Sequence, residues 1–356
     1  MRPNASSARL MLGALPALPT LCALAGTLLL FWLFLLVQGA PALDAIGLIF
    51  QGAFGSSFAW QSTLLRASPL MLTALCVALP AQVGLIVIGG EGALALGGLA
   101  AAVVPQCLPA GTPWLVATPL MAAAGMLAGG VWIGAIGALR QWRGVNETIS
   151  SLLMSYIAIA LFKHLVEGPL RDPASLNKPS TYGIGDENML DTVPWLDVHP
   201  GIPIGVLACV LCWVLIYRTS IGFAGRVTGG NIRAAQLQGL PVARLIIMAS
   251  ALGGACAGLA GTVEVATQLG RANASLAAGY GYTGILIAFL ARFNPLAIMP
   301  MAVLLGGLGA AGGLLQRRMG LPDATVQVLQ GMIFVSILAS DTLYGRIRWF
   351  QPRGDT

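Results

Sequence analysis

The chain has 356 residues, 57% of them hydrophobic and 9% charged, with a mean hydropathy of +0.82 and a formal net charge of +6. Soluble domains carry about 25% charged residues, so a soluble enzyme is excluded and a multi-pass membrane protein is predicted. No basic tract of the kind that binds nucleic acid occurs; the positive charge comes mainly from arginines at the ends of apolar segments.

Apolar segments long enough for a helix crossing a bilayer core of about 30 Å recur along the chain. In order they fall near 17–37, 63–80, 82–104, 114–138, 146–162, 202–217, 243–264, 280–291, 295–315 and 324–340. The first follows Arg2 and Arg9 but is too long for a signal-peptide core, which predicts a retained span. The segment at 280–291 is short for a full crossing and predicts a broken or re-entrant element. The expected fold is therefore an all-α polytopic bundle of roughly eight to ten helices, a single permease-sized domain over 1–356.

The charge bias between loops sets the expected orientation. With the N-terminus inside, twelve of the nineteen Lys and Arg residues fall on the cytoplasmic side and seven outside, which predicts cytoplasmic N- and C-termini. Arg317 and Arg318 run against this bias, in what reads as a short outer hairpin. The segment 163–200 lies outside in this scheme; Glu167, Asp172, Asp186, Glu187, Asp191 and Asp197 make it an acidic face for a partner or a plain solvated loop.

The third segment carries Glu91 in Ile88-Gly89-Gly90-Glu91-Gly92-Ala93, read as near the middle of a span. An acid at that depth costs about 2.5–3.5 kcal/mol on insertion scales and should face a cavity or a partner. Two readings stand: Glu91 lines a translocation path, or it fixes helix packing. A second polar cluster opens the fifth segment. Asn146 suits a helix cap and Glu147 a first turn. Ser151 and Ser155, four apart, share a face beside Tyr156. Such a stripe lines a path or joins helices.

The segment 218–242 reads Gly225-Arg-Val-Thr-Gly-Gly230-Asn231-Ile232-Arg233-Ala234-Ala235-Gln-Leu-Gln-Gly239-Leu-Pro241. Asn231 suits a helix cap. Gly239 suits the left-handed turn beyond a helix end, and Pro241 blocks continuation. About two helical turns between these stops are marginal alone, and the adjacent alanines allow close approach by another protein. A docking element and a solvated turn are the two readings.

Several chemistries lack their residues. There are two lysines, Lys163 and Lys178, and neither follows glycine, so a Walker A loop is absent. Two histidines, His164 and His199, and no HExxH argue against a zinc enzyme. Cys209 and Cys212 form a CxxC inside a span with no partner pair, which reads as packing. The Gly-x-Gly-x-x-Gly matches at 279–284 and 307–312 follow no strand and read as helix packing. Glu264, ending the seventh segment, reads as a cap or outer-surface residue. No cofactor and no metal are expected.

Taken together, these segments resemble a known family. Gly229-Gly-Asn-x-x-Ala-Ala-x-x-x-Gly-Leu240 resembles the coupling-loop pattern of ABC importer permeases of the branched-chain amino acid and ribose type. Arg143-Gly-Val-Asn-Glu-Thr-Ile, Ile88-Gly-Gly-Glu-Gly and Gly281-Tyr-Thr-Gly-Ile through Pro295 resemble its nucleoside and simple-sugar branch, which works with binding proteins of the basic membrane protein class. The resemblance covers about residues 60–340. Val87 and Ala93 stand where that branch usually has Asn and Gln, and Ser151 and Ser155 where it often has Thr and Asn.

The resemblance implies a type II importer-like permease in the bacterial inner membrane, without an ATPase site of its own. It would move a nucleoside, purine base or related solute, partnered by an ATP-binding subunit, a second permease chain, an external solute-binding protein and membrane lipid. Glu91, Asn146, Glu147, Ser151, Ser155 and Tyr156 would be its path residues. Gly230, Asn231, Arg233, Ala234, Ala235 and Gly239 would be its ATPase-coupling residues. The alternative is a secondary transporter driven by an ion gradient, with Glu91 as coupling site.

Overall fold

The structure, a computed structural model, describes residues 18–109, 111–190 and 199–346. Of the charged residues used above, Arg2, Arg9, Asp191, Asp197, Arg348 and Arg353 lie outside the described residues. Among the described residues the regular structure is helical, apart from one isolated antiparallel bridge between Ser180 and Asn273. The all-α expectation holds. The chain separates into two compact units, 1–60 with 307–356, and 61–306.

In the first unit, α1 (Leu18–Val37) and α2 (Ala42–Phe54) form a pair bent by 118° around Gly39, whose φ is +71°. Residues 42–54, which lie between the first two apolar segments read from the sequence, are helical. The last helix of the chain, Ala324–Arg346, packs against α1.

The second unit contains most of α3 (Ser57–Ala81), then α4 (Gly90–Cys107), α5 (Trp114–Arg143), α6 (Glu147–Glu167) and α7 (Gly201–Arg218). Two short helices follow, α8 (Ser220–Gly230) and α9 (Ile232–Leu237), then α10 (Val242–Glu264), α11 (Tyr280–Leu290) and the start of α12 (Pro295–Met319). Ala324–Arg346 is α13. Among the described residues six helices are long and apolar enough to cross a membrane, or seven if the bent α1–α2 pair counts as one. That is fewer than the apolar segments in the sequence, because several of those turn out to be broken or short helices.

Four expectations are corrected. The segment at 82–104 is not one helix: residues 82–84 form a turn, with Gly84 at φ +83°, and 85–88 run extended before α4 starts. Glu91 is therefore in a first helical turn rather than inside a continuous helix. The helix after residue 243 does not stop at Glu264; it continues as a π turn, Val265–Leu269, closed by Gly270 at φ +63°. Residues 163–167, assigned to the outer segment, still belong to α6. Arg317 and Arg318 occupy the last turn of α12 rather than a hairpin, where the helix dipole favours cations.

At the centre of the second unit, α10 packs on α4 and α5 through glycine. A methyl group at Gly129 would lie 2.8 Å from Gly258 N, and one at Gly97 or Gly258 would collide with the facing backbone. Lipid offers no hydrophobic drive for helix association, so such contacts depend on close van der Waals approach between small residues. Gly258→Val is expected to destabilise the bundle by about 3 kcal/mol, since the colliding atoms are backbone and cannot change rotamer. Thermal unfolding in detergent at an unchanged midpoint would contradict this.

Candidate functional site

The break before α4 meets the start of α11. Glu91 Oε1 accepts a hydrogen bond from Gly279 N at 2.7 Å, and Oε2 accepts one from Gly281 N at 2.6 Å. Helix N-termini expose unpaired N–H groups and the positive end of the helix dipole. A carboxylate offered by another segment therefore caps α11 from outside, and charge-assisted bonds of this length are the stronger kind. Glu91 is 1% exposed and Gly281 is buried, while Gly279 is half-buried at the edge of the joint. Gly281 permits the approach: a methyl group there would stand 2.6 Å from Glu91 Cα.

The same point is held from two further sides. Thr73 Oγ1 donates to the Tyr280 carbonyl at 3.1 Å. The Tyr280 side chain lies close enough to interact with Glu264, which is 4% exposed and accepts a hydrogen bond from Gln268 Nε2 at 2.9 Å. Glu264 is thus neither a cap nor a surface group. It is a buried acceptor beside a π turn, a feature that recurs at functional sites.

From α6, serines complete the joint. Ser151 Oγ accepts from Ile88 N at 2.9 Å, and Ser155 Oγ accepts from Gly92 N at 3.0 Å. Thr148 Oγ1 donates to the Ile86 carbonyl at 3.0 Å. The non-helical stretch 85–88 would otherwise leave backbone groups without partners, and α6 supplies them.

Of the six residues expected on a path, Glu91, Ser151 and Ser155 converge here, and Tyr156 follows Ser155 with its ring 56% exposed. The other two lie apart. Asn146 caps α6, its Oδ1 accepting from Ile149 N at 3.0 Å, and Glu147 pairs with Arg140 Nε at 3.2 Å, joining α5 to α6. The joint also uses Thr73 and Tyr280, together with Glu264, Gly279 and Gly281, which the sequence marked as a cap or surface residue and as packing glycines rather than as parts of a site. The glycines at 279 and 281 were the available signal, but a chance match of glycine spacing hid it.

The second region is the segment 218–242. It is two helices rather than a loop. Thr219 Oγ1 caps α8 by accepting from Gly222 N at 3.1 Å, and Asn231 Oδ1 caps α9 by accepting from Ala234 N at 3.1 Å. Gly239 takes the left-handed turn at φ +74° and Leu240 N donates back to the Ala235 carbonyl at 3.1 Å. Gly230, Asn231, Arg233 and Gly239 are exposed and Ala234 half-buried, but Ala235 is fully buried. It packs with Val83, Leu85, Val242, Leu245 and Ile246. Outward from α9 point Ile232 and Leu237, the latter 90% exposed.

These two regions share one segment. Val83 and Leu85, against which Ala235 packs, begin the stretch that leads through Ile88 to Glu91. Gly229 lies against Gln82 and Gly84, and Gln82 Nε2 donates to the Phe293 carbonyl just beyond α11 at 3.2 Å. Both short helices therefore rest on the segment that leads to Glu91, α8 through Gly229 at Gln82 and Gly84, and α9 through Ala235 at Val83 and Leu85.

The fold class and this arrangement define a polytopic transport subunit, and the chain belongs to the family of branched-chain amino acid transport system permease components, whose model matches residues 59–338. A glucose ABC transporter permease protein, TsgB13, of Haloferax volcanii is 32% identical over 86% of this chain and 83% of its own length. A guanosine ABC transporter permease protein, NupP, of Bacillus subtilis is 29% identical over 86% of this chain and 89% of its own. A nucleoside ABC transporter permease protein, NupB, of Lactococcus lactis is 27% identical over 81% of each. Members of this kind are transport subunits rather than enzymes, and the chain is a multi-pass membrane permease.

Proposed function

We propose that this chain, as one permease domain over 1–356, is the membrane-spanning subunit of an ATP-driven importer for a nucleoside, purine base or related small solute in the bacterial inner membrane. Its partners are an ATP-binding subunit, a second permease chain and an external solute-binding protein. Both termini and α9 face the cytoplasm. The carrying observation is α9: a capped helix presenting a leucine that touches almost nothing of its own chain, in a family of ABC permeases. The names of the guanosine and nucleoside permeases support the solute class.

The mechanism needs two states and a lever. ATP binding closes the ATPase dimer and displaces α9; Ala235 passes the displacement to Val83 and Leu85. The extended stretch then shifts the joint at Glu91, where α4 and α11 change their mutual angle. Rigid-body and hinge movements about a few non-helical residues are a recurring form of such switching. A gradient-driven carrier with Glu91 as its ion site is disfavoured, because both carboxylate oxygens already accept backbone hydrogen bonds.

Reconstituted alone, the chain is expected to accumulate no guanosine under an imposed proton or sodium gradient. With the ATPase, the second permease, the binding protein and ATP, accumulation is expected, and an ATPase that cannot hydrolyse ATP should abolish it. Gradient-driven accumulation by the chain alone would overturn the proposal.

A further inference from the structure

The broken backbone sits at a depth that constrains what covers it. The end of α11 is tied to Gln82 through Phe293, while its start is tied to Glu91. Eleven helical residues separate these levels, which at 1.5 Å each is roughly 16 Å. With the end of α11, where Arg292 follows, taken as the edge of the apolar layer, the joint lies about halfway through a hydrocarbon core of about 30 Å. Irregular backbone at that depth is tolerated only when protein covers it or when it lines a water-filled cavity.

Two phenols stand at the edge of the joint. Tyr156 directly follows Ser155, and Tyr282 directly follows Gly281, so each is placed by a residue anchored to the break. Ser155 and Tyr156 are both close enough to act electrostatically on the Tyr282 hydroxyl. Yet the rings are 56% and 40% exposed, respectively, so they project from the joint rather than fill it. A ring that is apolar on its face and polar at its tip suits a surface that is wet on one side.

The electrostatics of the spot are close to balanced. The N-termini of α4 and α11 each carry about +0.5 of a charge. Glu91, accepting through both oxygens, offsets the pair, and Arg66 acts electrostatically on Glu264, the second buried acid at this point. Neither a solute cation nor a solute anion finds an uncompensated partner there.

We propose that Tyr156 and Tyr282 form the mid-membrane contact for the transported solute, stacking on a neutral, flat ring, while Glu91 holds the joint and does not touch the solute. This rests on the importer reading above and assigns the site within it. The stacking pair, not the carboxylate, then discriminates solutes at this point of the path.

The test uses the complete transporter in proteoliposomes, with guanosine delivered by the binding protein. Tyr282→Phe keeps the ring and is expected to retain uptake within about threefold. Tyr282→Leu and Tyr156→Leu keep apolar bulk without a flat face; each should lower uptake about tenfold, the scale of one lost base–aromatic stack. Photolabelling with 8-azidoguanosine during turnover should mark peptides within 147–167 and 280–290 and weaken in both leucine variants. Thermal midpoint and co-purification with the ATPase control for folding and assembly. Full uptake by both leucine variants, equal losses in Tyr282→Phe and Tyr282→Leu, or label confined to other helices would each overturn the assignment. If wild-type transporter accumulates no guanosine, the importer reading fails instead.

Discussion

Glu91→Ala is expected to lower the thermal midpoint sharply and to abolish uptake. The substitution strands Gly279 N–H and Gly281 N–H inside the protein, where Glu91 is their acceptor at 2.7 and 2.6 Å. A buried donor left unpaired costs about 1–3 kcal/mol, a penalty that applies in full to Gly281 and in part to half-buried Gly279, so the loss is about 3 kcal/mol. Glu91→Gln should fall between. An amide presents one accepting oxygen and one donating nitrogen to two N–H donors, so it keeps one bond and opposes the other. Thermal unfolding in detergent reads the first effect, and solute uptake by the assembled transporter reads the second. If alanine and glutamine variants both unfold at the wild-type temperature, the carboxylate is not what holds α11.

Leu237→Asp is expected to remove binding of the ATPase subunit while leaving the isolated chain as stable as before. Leu237 is 90% exposed, so a charge there disturbs no internal packing. In a hydrophobic groove of a partner it would be desolvated without a counter-charge, and truncations at buried interface anchors cost 2 kcal/mol or more. Ala235→Trp is the contrasting case. Ala235 is fully buried against Val83, Leu85 and Ile246, so an indole has to force the end of the bundle apart. Overpacking typically costs about 1–3 kcal/mol. The tryptophan variant should therefore lose thermal stability as well as uptake, whereas the aspartate variant loses only partner binding and uptake. Co-purification of the ATPase with Leu237→Asp at wild-type yield would remove α9 as the docking element.

The two regions differ in how far they could be read in advance. The α9 caps were legible, because Asn231 and Gly239 act through the backbone within a few residues of their own positions. The inward turn of Ala235 was not, since it depends on Val83 and Leu85 some 150 residues earlier in the chain. Glu91 stood out as an acid in an apolar segment. Its partners did not, because Gly279 and Gly281 lie about 190 positions away and contribute only backbone N–H groups. Backbone donors carry no side-chain identity, so nothing in their residue types announces the role. Glu147 was misleading for a local reason: it resembles Glu91 in composition, but the nearby Arg140 takes it as an ion-pair partner.

By itself the sequence determined that the chain is helical and crosses the membrane several times, since length and apolarity of segments are local quantities that lipid selects directly. It also determined where α9 starts and stops and which family the segments belong to. Only the tertiary structure decided that 82–104 is broken before Glu91, that α10 runs on through a π turn, and that two helix starts meet at one carboxylate. The physical reason is common to all three. An apolar run is compatible with either a continuous helix or an interrupted one, and the interruption is stable only when distant residues supply the missing hydrogen bonds. Here Ser151, Ser155, Thr148 and Glu91 do so.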